Sequence, residues 1–388
     1  ADSAEPLGPA VRADLTVTFT APKPANVLPP AAHFGGQLHV AHLGSPQPLL
    51  DAAPSKLFLA EPEDARRFLE RTRYAPGSYK NKHGHALVVA GSRYLTGAAV
   101  LSANAAMRAG AGLVTVAAPE SALASVAARL LPEVMTAALP ETDAGALSFE
   151  AVGRVVQLAE RADALAVGPG LTSNDEQTRR FVRALIERRT KPLVVDADGL
   201  NALAPWPAEL RGTNELPIVL TPHLGELRRL LDVRPSQTSD AQNPSGPGAQ
   251  TSDDSAAQIT DERLRADRVG VVREFAAAYG LVVVLKGTRT LVAGPDGRVV
   301  VVPTGNAGLG RAGSGDTLTG IVAAFNAQAA APGRGFDAHE ATLAAVYVGG
   351  LAGDLAARER GMRTLTASDV REHVGAAVRA LDPKGEQP

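Results

Sequence analysis

The sequence predicts an α/β protein built on a doubly wound, mostly parallel sheet with helices on both faces and an antiparallel hairpin at its edge. Short apolar runs alternate with helix-length segments through most of the 388 residues, the rhythm of βαβ units with right-handed crossovers. The strand-like runs are apolar throughout, as strands covered on both faces are. Two of them, 290–293 and 299–302, flank the turn Gly-Pro-Asp-Gly at 294–297 and read as a hairpin.

Taken in order, residues 1–50 are proline-rich and carry one strand, 14–20 (DLTVTFT). This is too little to fold alone; it reads as an arm on the main body or the end of another domain. Residues 57–73 (LFLAEPEDARRFLERTR) read as a helix, with Glu61, Glu63 and Asp64 early and Arg71 and Arg73 late, as the macrodipole prefers. A strand at 85–91, a small-residue helix at 96–110 and a strand at 113–118 form the first βαβ unit. Strands at 165–167 and 193–195 bracket a helix at 175–188, and strands follow at 218–220 and 281–285. After the hairpin comes 305–326 (GNAGLGRAGSGDTLTGIVAAFN), a glycine loop turning into a helix at Asp316, which is expected to cap it. The C-terminal third is helical, 338–359 being its longest stretch. Residues 235–260 shift to Ser, Gln, Asp, Gly, Pro and Ala, and read as a disordered insertion. No internal repeat is evident.

Composition narrows the function. A 45% hydrophobic, 21% charged chain has ample material for a core, while 4% aromatics leaves that core to Ala, Val and Leu. A formal net charge of −2 gives no support to nucleic-acid binding. The absence of cysteine excludes disulfides, thiolate metal sites and Cys nucleophiles. No apolar run reaches a membrane span. The chain opens at Ala1 without a charged-then-apolar leader, which reads as the trimmed start of a cytoplasmic enzyme.

In an open α/β sheet, ligands bind beyond the carboxyl ends of the strands, and the polar punctuation falls there. Gly91-Ser92, Gly168-Pro169-Gly170, Asp196-Ala197-Asp198-Gly199, Thr221 to Glu226 (TPHLGE) and Lys286 to Thr290 (KGTRT) each follow a strand. One such loop means little, but five on one edge point to a site. Each also has a plainer reading. The Gly168 loop is a tight turn, Asp198 or Asn201 an N-cap, His223 a surface histidine, KGTRT a charged hairpin; Asp196 at a strand tip can reach a metal through water. Gly-Ser-Gly-Asp at 313–316 is the strongest signal. Strand, glycine loop and helix N-terminus hold an anion with backbone N–H groups and the dipole, and an acid there suits chemistry on it. Neither a GxxxxGK[ST] P-loop nor a GxGxxG dinucleotide fingerprint occurs. Trp206, between prolines, reads as structural.

With GN before it and TLTGI after it, this loop resembles the ribokinase-like superfamily, and more closely the ADP- or ATP-dependent NAD(P)H-hydrate dehydratases. The resemblance runs through six ordered blocks: HALVVAGSRYLTGAAVLSANAAMRAGAGLVTV, ADALAVGPGL, PLVVDADGLNAL, IVLTPHLGELRRL, VVVLKGTRTLVAGPDG and GNAGLGRAGSGDTLTGIVAAF. The family's loop usually reads GNPGMATGGTGD; Ala307, Leu309, Gly310, Arg311, Ala312 and Ser314 differ, and Arg311 adds charge near the phosphates. Residues 1–50 are similar to the tail of an NAD(P)H-hydrate epimerase domain, with 51–388 the dehydratase domain.

The resemblance implies a site residue by residue. Lys286, Gly287, Thr288, Arg289, Thr290, Asn306, Gly313, Ser314 and Gly315 would contact the adenine nucleotide, ADP or ATP. Ala98, Gly170, His223 and Asp316 would contact the hydrated nicotinamide nucleotide, with Asp316 catalytic. The implied reaction phosphorylates the C6 hydroxyl of the S-epimer and eliminates phosphate. Mg²⁺ would ride on the phosphates without a protein cage. A homo-oligomer, tetrameric as in the family, and a companion epimerase are further implications. A vitamin or sugar kinase of the same superfamily and a non-catalytic nucleotide-binding regulator are the alternatives; the intact acid weighs against the regulator.

Overall fold

The computed structural model describes residues 3–6, 8–52, 54–233, 259–335 and 337–384. The strands among them are β1 Leu15–Phe19, β2 Gln37–Ala41, β3 Leu57–Leu59, β4 His85–Val89, β5 Leu113–Pro119, β6 Met135–Leu139, β7 Ala164–Val167, β8 Leu193–Val195, β9 Ile218–Leu220, β10 Val282–Leu285, β11 Leu291–Ala293 and β12 Val299–Val301. β1 and β2 pair in parallel as a two-stranded sheet; the others form a ten-stranded sheet in the order β3-β12-β11-β10-β9-β8-β7-β4-β5-β6. Among the described strands of this sheet only β11 runs antiparallel, to β10 and β12.

Successive strand residues feed opposite core layers, which is why the strands are apolar at every position. Val88, Val116, Ala166, Val194 and Val284 face the layer holding Phe325 and Val348. Leu87, Leu165, Val195, Leu220 and Leu285 face the layer holding Phe181 and Phe275. Among the few aromatics, Phe68 stacks on Phe325 at 4.7 Å between centroids. Trp206 is buried, its indole N–H donating to the Leu210 carbonyl at 3.2 Å, the structural role expected of it.

Several expectations are corrected. Residues 57–73 do not form one helix. Pro62 lacks an N–H and fits only a first turn, so the helix runs Pro62–Thr72 behind a capping box of Glu61 and Asp64. Leu57–Leu59 instead pairs with β12 as the outermost strand, so the antiparallel hairpin lies one strand in from the edge. Strands β2 and β6 were not anticipated. The proposed insertion 235–260 lies outside the described residues except for Ile259 and Thr260, and Thr260 caps the helix Asp261–Ala266 through Arg263 N–H. In the N-terminal arm Leu28 is 2% exposed, part of the second core layer. The arm is thereby seated on the main body.

Candidate active site

Parallel pairing of β4, β7, β8, β9 and β10 brings all five polar loops to one edge. The helix Ser314–Ala330 packs across β4, β7 and β8 and sets its first turn above them. A Cβ on Gly315 would lie 3.4 Å from Lys286 Nζ and 3.6 Å from Asp196 Oδ2. Thus the Gly-Ser-Gly-Asp turn, the lysine after β10 and the aspartate after β8 meet in one place.

The helix starts earlier than the sequence indicates. Gly313, at φ +86°, is the N-cap, and Asp316 is the third helical residue. The left-handed angle favours glycine at 313, and a Cβ there would also fall 2.6 Å from Leu101 Cδ1. Asp316 therefore does not cap; no donor is bonded to its carboxylate among the described residues. One turn on, Gly320 allows close approach to the Thr96–Arg108 helix, where a Cβ would meet the Ser102 carbonyl at 2.0 Å. That helix carries Ala98, whose Cβ lies 3.0 Å from where a Cβ on Gly170 would sit. Two of the expected substrate contacts are thus neighbours.

Asp196 is 1% exposed and fully engaged. Lys286 Nζ donates to Oδ1 at 2.7 Å and Thr319 Oγ1 to Oδ2 at 2.6 Å. Burial raises its proton affinity, yet Lys286, Thr319 and Thr221 together hold it below the ordinary aspartate range. Lys286 also stands 3.9 Å from Glu226 Oε2. Burial lowers its proton affinity, but Asp196, Glu226 and Asp316 outweigh that and keep it charged. Asp316 shows the opposite balance. Burial first, then the charges of Asp196 and Asp198, push it up to about 6, against the pull of Lys286.

His223 caps the helix Leu224–Leu230, its Nδ1 accepting from the N–H groups of Gly225 at 2.9 Å and Glu226 at 3.2 Å. In the neutral ring the proton must then sit on Nε2. Burial, Lys286 and Arg229 lower its pKa, favouring that neutral donor. Glu226 returns the cap, Oε2 accepting from His223 N–H at 2.8 Å, and burial raises its pKa. Lys286 N–H donates to the Pro222 carbonyl at 2.8 Å, so the two loops are fastened side by side.

Other expected residues are placed differently. Asp198 is the first residue of its helix rather than the cap; the cap position is Ala197, at φ +51°, a strained angle for a residue with a Cβ. The Asp198 carboxylate instead accepts from Thr172 N–H at 3.0 Å and Ser173 Oγ at 2.9 Å. Asn306 is engaged within the protein, donating to Gly353 O and Asp354 Oδ1 and accepting from Gly308 N–H. Arg311 is exposed and donates to the Arg363 carbonyl. Gly287, Thr288 and Arg289 form an exposed loop, with Arg289 Nη1 on the Pro303 carbonyl at 2.5 Å and Thr290 Oγ1 on Gly287 O at 3.3 Å. Sequence reasoning missed Thr319. Its signal was a hydroxyl three residues after Asp316, on the helix that the glycine loop opens.

A family model described as NAD(P)H-hydrate dehydratase matches residues 86–374. The bifunctional NAD(P)H-hydrate repair enzyme Nnr of Moorella thermoacetica is 40% identical over 386 residues, 100% of this chain and 66% of the relative. That of Thermofilum pendens is 37% identical over 98% of this chain and 65% of its own length. The chain therefore spans about two thirds of the length of these curated relatives. The crystal structure of an ADP/ATP-dependent NAD(P)H-hydrate dehydratase from Bacillus subtilis, co-crystallised with ATP and Mg²⁺, aligns with TM-score 0.64 at 26% identity, covering 84% of this chain and 98% of that one. A ribokinase-like superfamily protein from Enterococcus faecalis, at 22% identity and TM-score 0.62, shares the fold. The chain belongs to the NAD(P)H-hydrate dehydratase family and has its ribokinase-like fold.

Proposed function

We propose that this protein is a lyase that dehydrates the S-epimer of hydrated NAD(P)H back to NAD(P)H, using ADP or ATP. The observation that carries this is Asp316. It is a carboxylate with no bonded donor among the described residues, in the first turn of a helix with a glycine-rich entrance, beside the ammonium of Lys286. Backbone N–H groups of 313–316 and Lys286 would hold the nucleotide's terminal phosphoryl group. Asp316 accepts the proton of the C6 hydroxyl as its oxygen attacks the terminal phosphorus, releasing AMP from ADP or ADP from ATP. The C6–O bond then breaks with loss of phosphate, and a proton leaves C5, so the C5–C6 double bond re-forms. His223 Nε2–H supplies a neutral donor and Ala98 with Gly170 a close backbone wall for the nicotinamide nucleotide.

The residues present fit Mg²⁺ held mainly by the nucleotide. Such an ion would ride on the phosphates, with water completing its shell, and leave Asp316 to the substrate hydroxyl. When bound it would neutralise charge on the phosphates. Among the described residues no helix is long and apolar enough to cross a membrane, compatible with a cytoplasmic enzyme. The repair relatives are bifunctional, and residues 1–50 resemble an epimerase tail, so a companion NAD(P)H-hydrate epimerase is part of this reading. A homo-oligomer completes the reading.

The test supplies hydrated NADH with ADP, ATP or neither and follows the absorbance of the reduced nicotinamide. Recovery that requires a nucleotide and releases phosphate is expected. No recovery with either nucleotide rejects the reading, and a stable phosphorylated product would point to a kinase.

A further inference from the structure

We infer that Asp196 and Thr319 are positioning residues that couple the phosphate-binding turn to Lys286 and so set the charged surroundings of Asp316. The inference deepens the proposed reaction and rests on it for its kinetic part. Asp196 sits at the tip of β8, bound on one oxygen by Lys286 and on the other by Thr319. Thr319 lies one turn beyond Asp316 in the same helix, so its hydroxyl ties the first turn of that helix to the sheet. Lys286 rises beneath Gly315, where a Cβ would already touch the ammonium at 3.4 Å. One buried carboxylate therefore sets the height of the turn over the sheet and the place of the cation. Both of its oxygens already accept from the protein, which holds the carboxylate in place.

The charge arrangement follows from the same bonds. The charged groups facing Asp316 are Asp196 and Asp198 from the loop after β8 and Lys286 from the loop after β10, with Glu226 on the other side of that lysine. The ammonium is shared with Asp196 and Glu226, so Asp316 receives only part of its pull. A base working near neutrality transfers protons best when its pKa lies close to the working pH. Asp196, itself inert, supplies that condition. A buried ion pair is weak evidence of stability design, and here it stands where its field acts on the reacting acid.

The experiment uses the full chain as Asp196→Asn, Thr319→Val and Thr319→Ser. Asp316 is titrated by ¹³C NMR in carboxyl-labelled protein, with Asp316→Asn identifying its signal. In Asp196→Asn the Asp316 midpoint should fall by about one unit, because a negative neighbour is lost and Lys286 is freed. This readout needs no turnover, so it stands even if hydrated NADH proves not to be the substrate. In Thr319→Val, kcat should fall ~10-fold with nucleotide KM changed less than ~3-fold, and Thr319→Ser should restore it. An unmoved midpoint in Asp196→Asn overturns the electrostatic part. Wild-type kcat in Thr319→Val, or failure of Thr319→Ser to restore it, overturns the tether. If Asp196→Asn does not fold, the midpoint is read in Thr319→Val, where it should shift relative to Thr319→Ser; equal midpoints overturn the coupling.

Discussion

The loop leaving β8 and the first turn of the Ser314–Ala330 helix each bring an aspartate to the same spot, and the surroundings treat the two in opposite ways. Asp196 is almost completely buried, receives a lysine ammonium and a threonine hydroxyl, and is held ionised. Asp316 is less buried, has no bonded donor among the described residues, and is pushed up to about 6. A buried carboxylate supplied with donors becomes inert framework. One left without them beside a like charge keeps its proton affinity and its lone pairs for a substrate. The difference lies in the partners, since the residue type is the same.

The same substitution at the two sites should therefore act with opposite sign. Asp196→Asn removes the countercharge of Lys286 and should destabilise the fold by about 3 kcal/mol or more, the scale for breaking a buried pair, read by denaturant unfolding. Asp316→Asn should lower kcat by at least ~10²-fold while leaving nucleotide binding intact, read by the NADH-recovery assay and calorimetry. Near wild-type turnover in that variant would remove Asp316 from the chemistry. At pH 7 Asp316→Asn should also stabilise the protein by roughly 1–3 kcal/mol. The sign follows from linkage: the folded state holds the Asp316 proton more tightly than the unfolded one, so its contribution is favourable at low pH and is lost as pH rises through about 6. Equal unfolding midpoints at pH 7 would contradict it.

The pH profile sharpens the contrast further. Because Asp316 must be ionised to accept a proton, kcat/KM should decline below about pH 6, with Asp196 still charged there. An acid limb near pH 4 would mean that the two aspartates are not distinguished by their surroundings. The smallest effect is expected at Arg311, exposed and turned to the Arg363 carbonyl. Arg311→Ala should change nucleotide affinity by less than about twofold, as surface substitutions usually do; a larger loss would put that guanidinium at the phosphates.

Much of this was legible in the chain. Apolar runs such as 85–91 and 281–285 announced a parallel sheet because burial on both faces leaves no polar position in a strand. Glycine and acid at 313–316 announced an anion cradle because helix N–H groups and φ > 0 have few other uses in that order. The helix at 57–73 was misread because charge order is a weak signal, and Pro62 alone could have marked the break. Strand β6 was missed because an edge strand alternates with solvent, and Met135 and Thr136 are exposed.

The sequence by itself determined the alternation of elements, the edge at which ligands bind and the acid at the helix start, since these depend on periodicity and local backbone chemistry. Only the tertiary structure decided that Asp316 stands in the third helical position rather than at the cap, that Asn306 faces Asp354, and that Asp196, Lys286 and Thr319 share one set of bonds. Those residues are 90 and 123 positions from Asp196 in the chain. Nothing local to any of them encodes a partner so distant; the pairing exists because the sheet brings strand ends together and a helix crosses them.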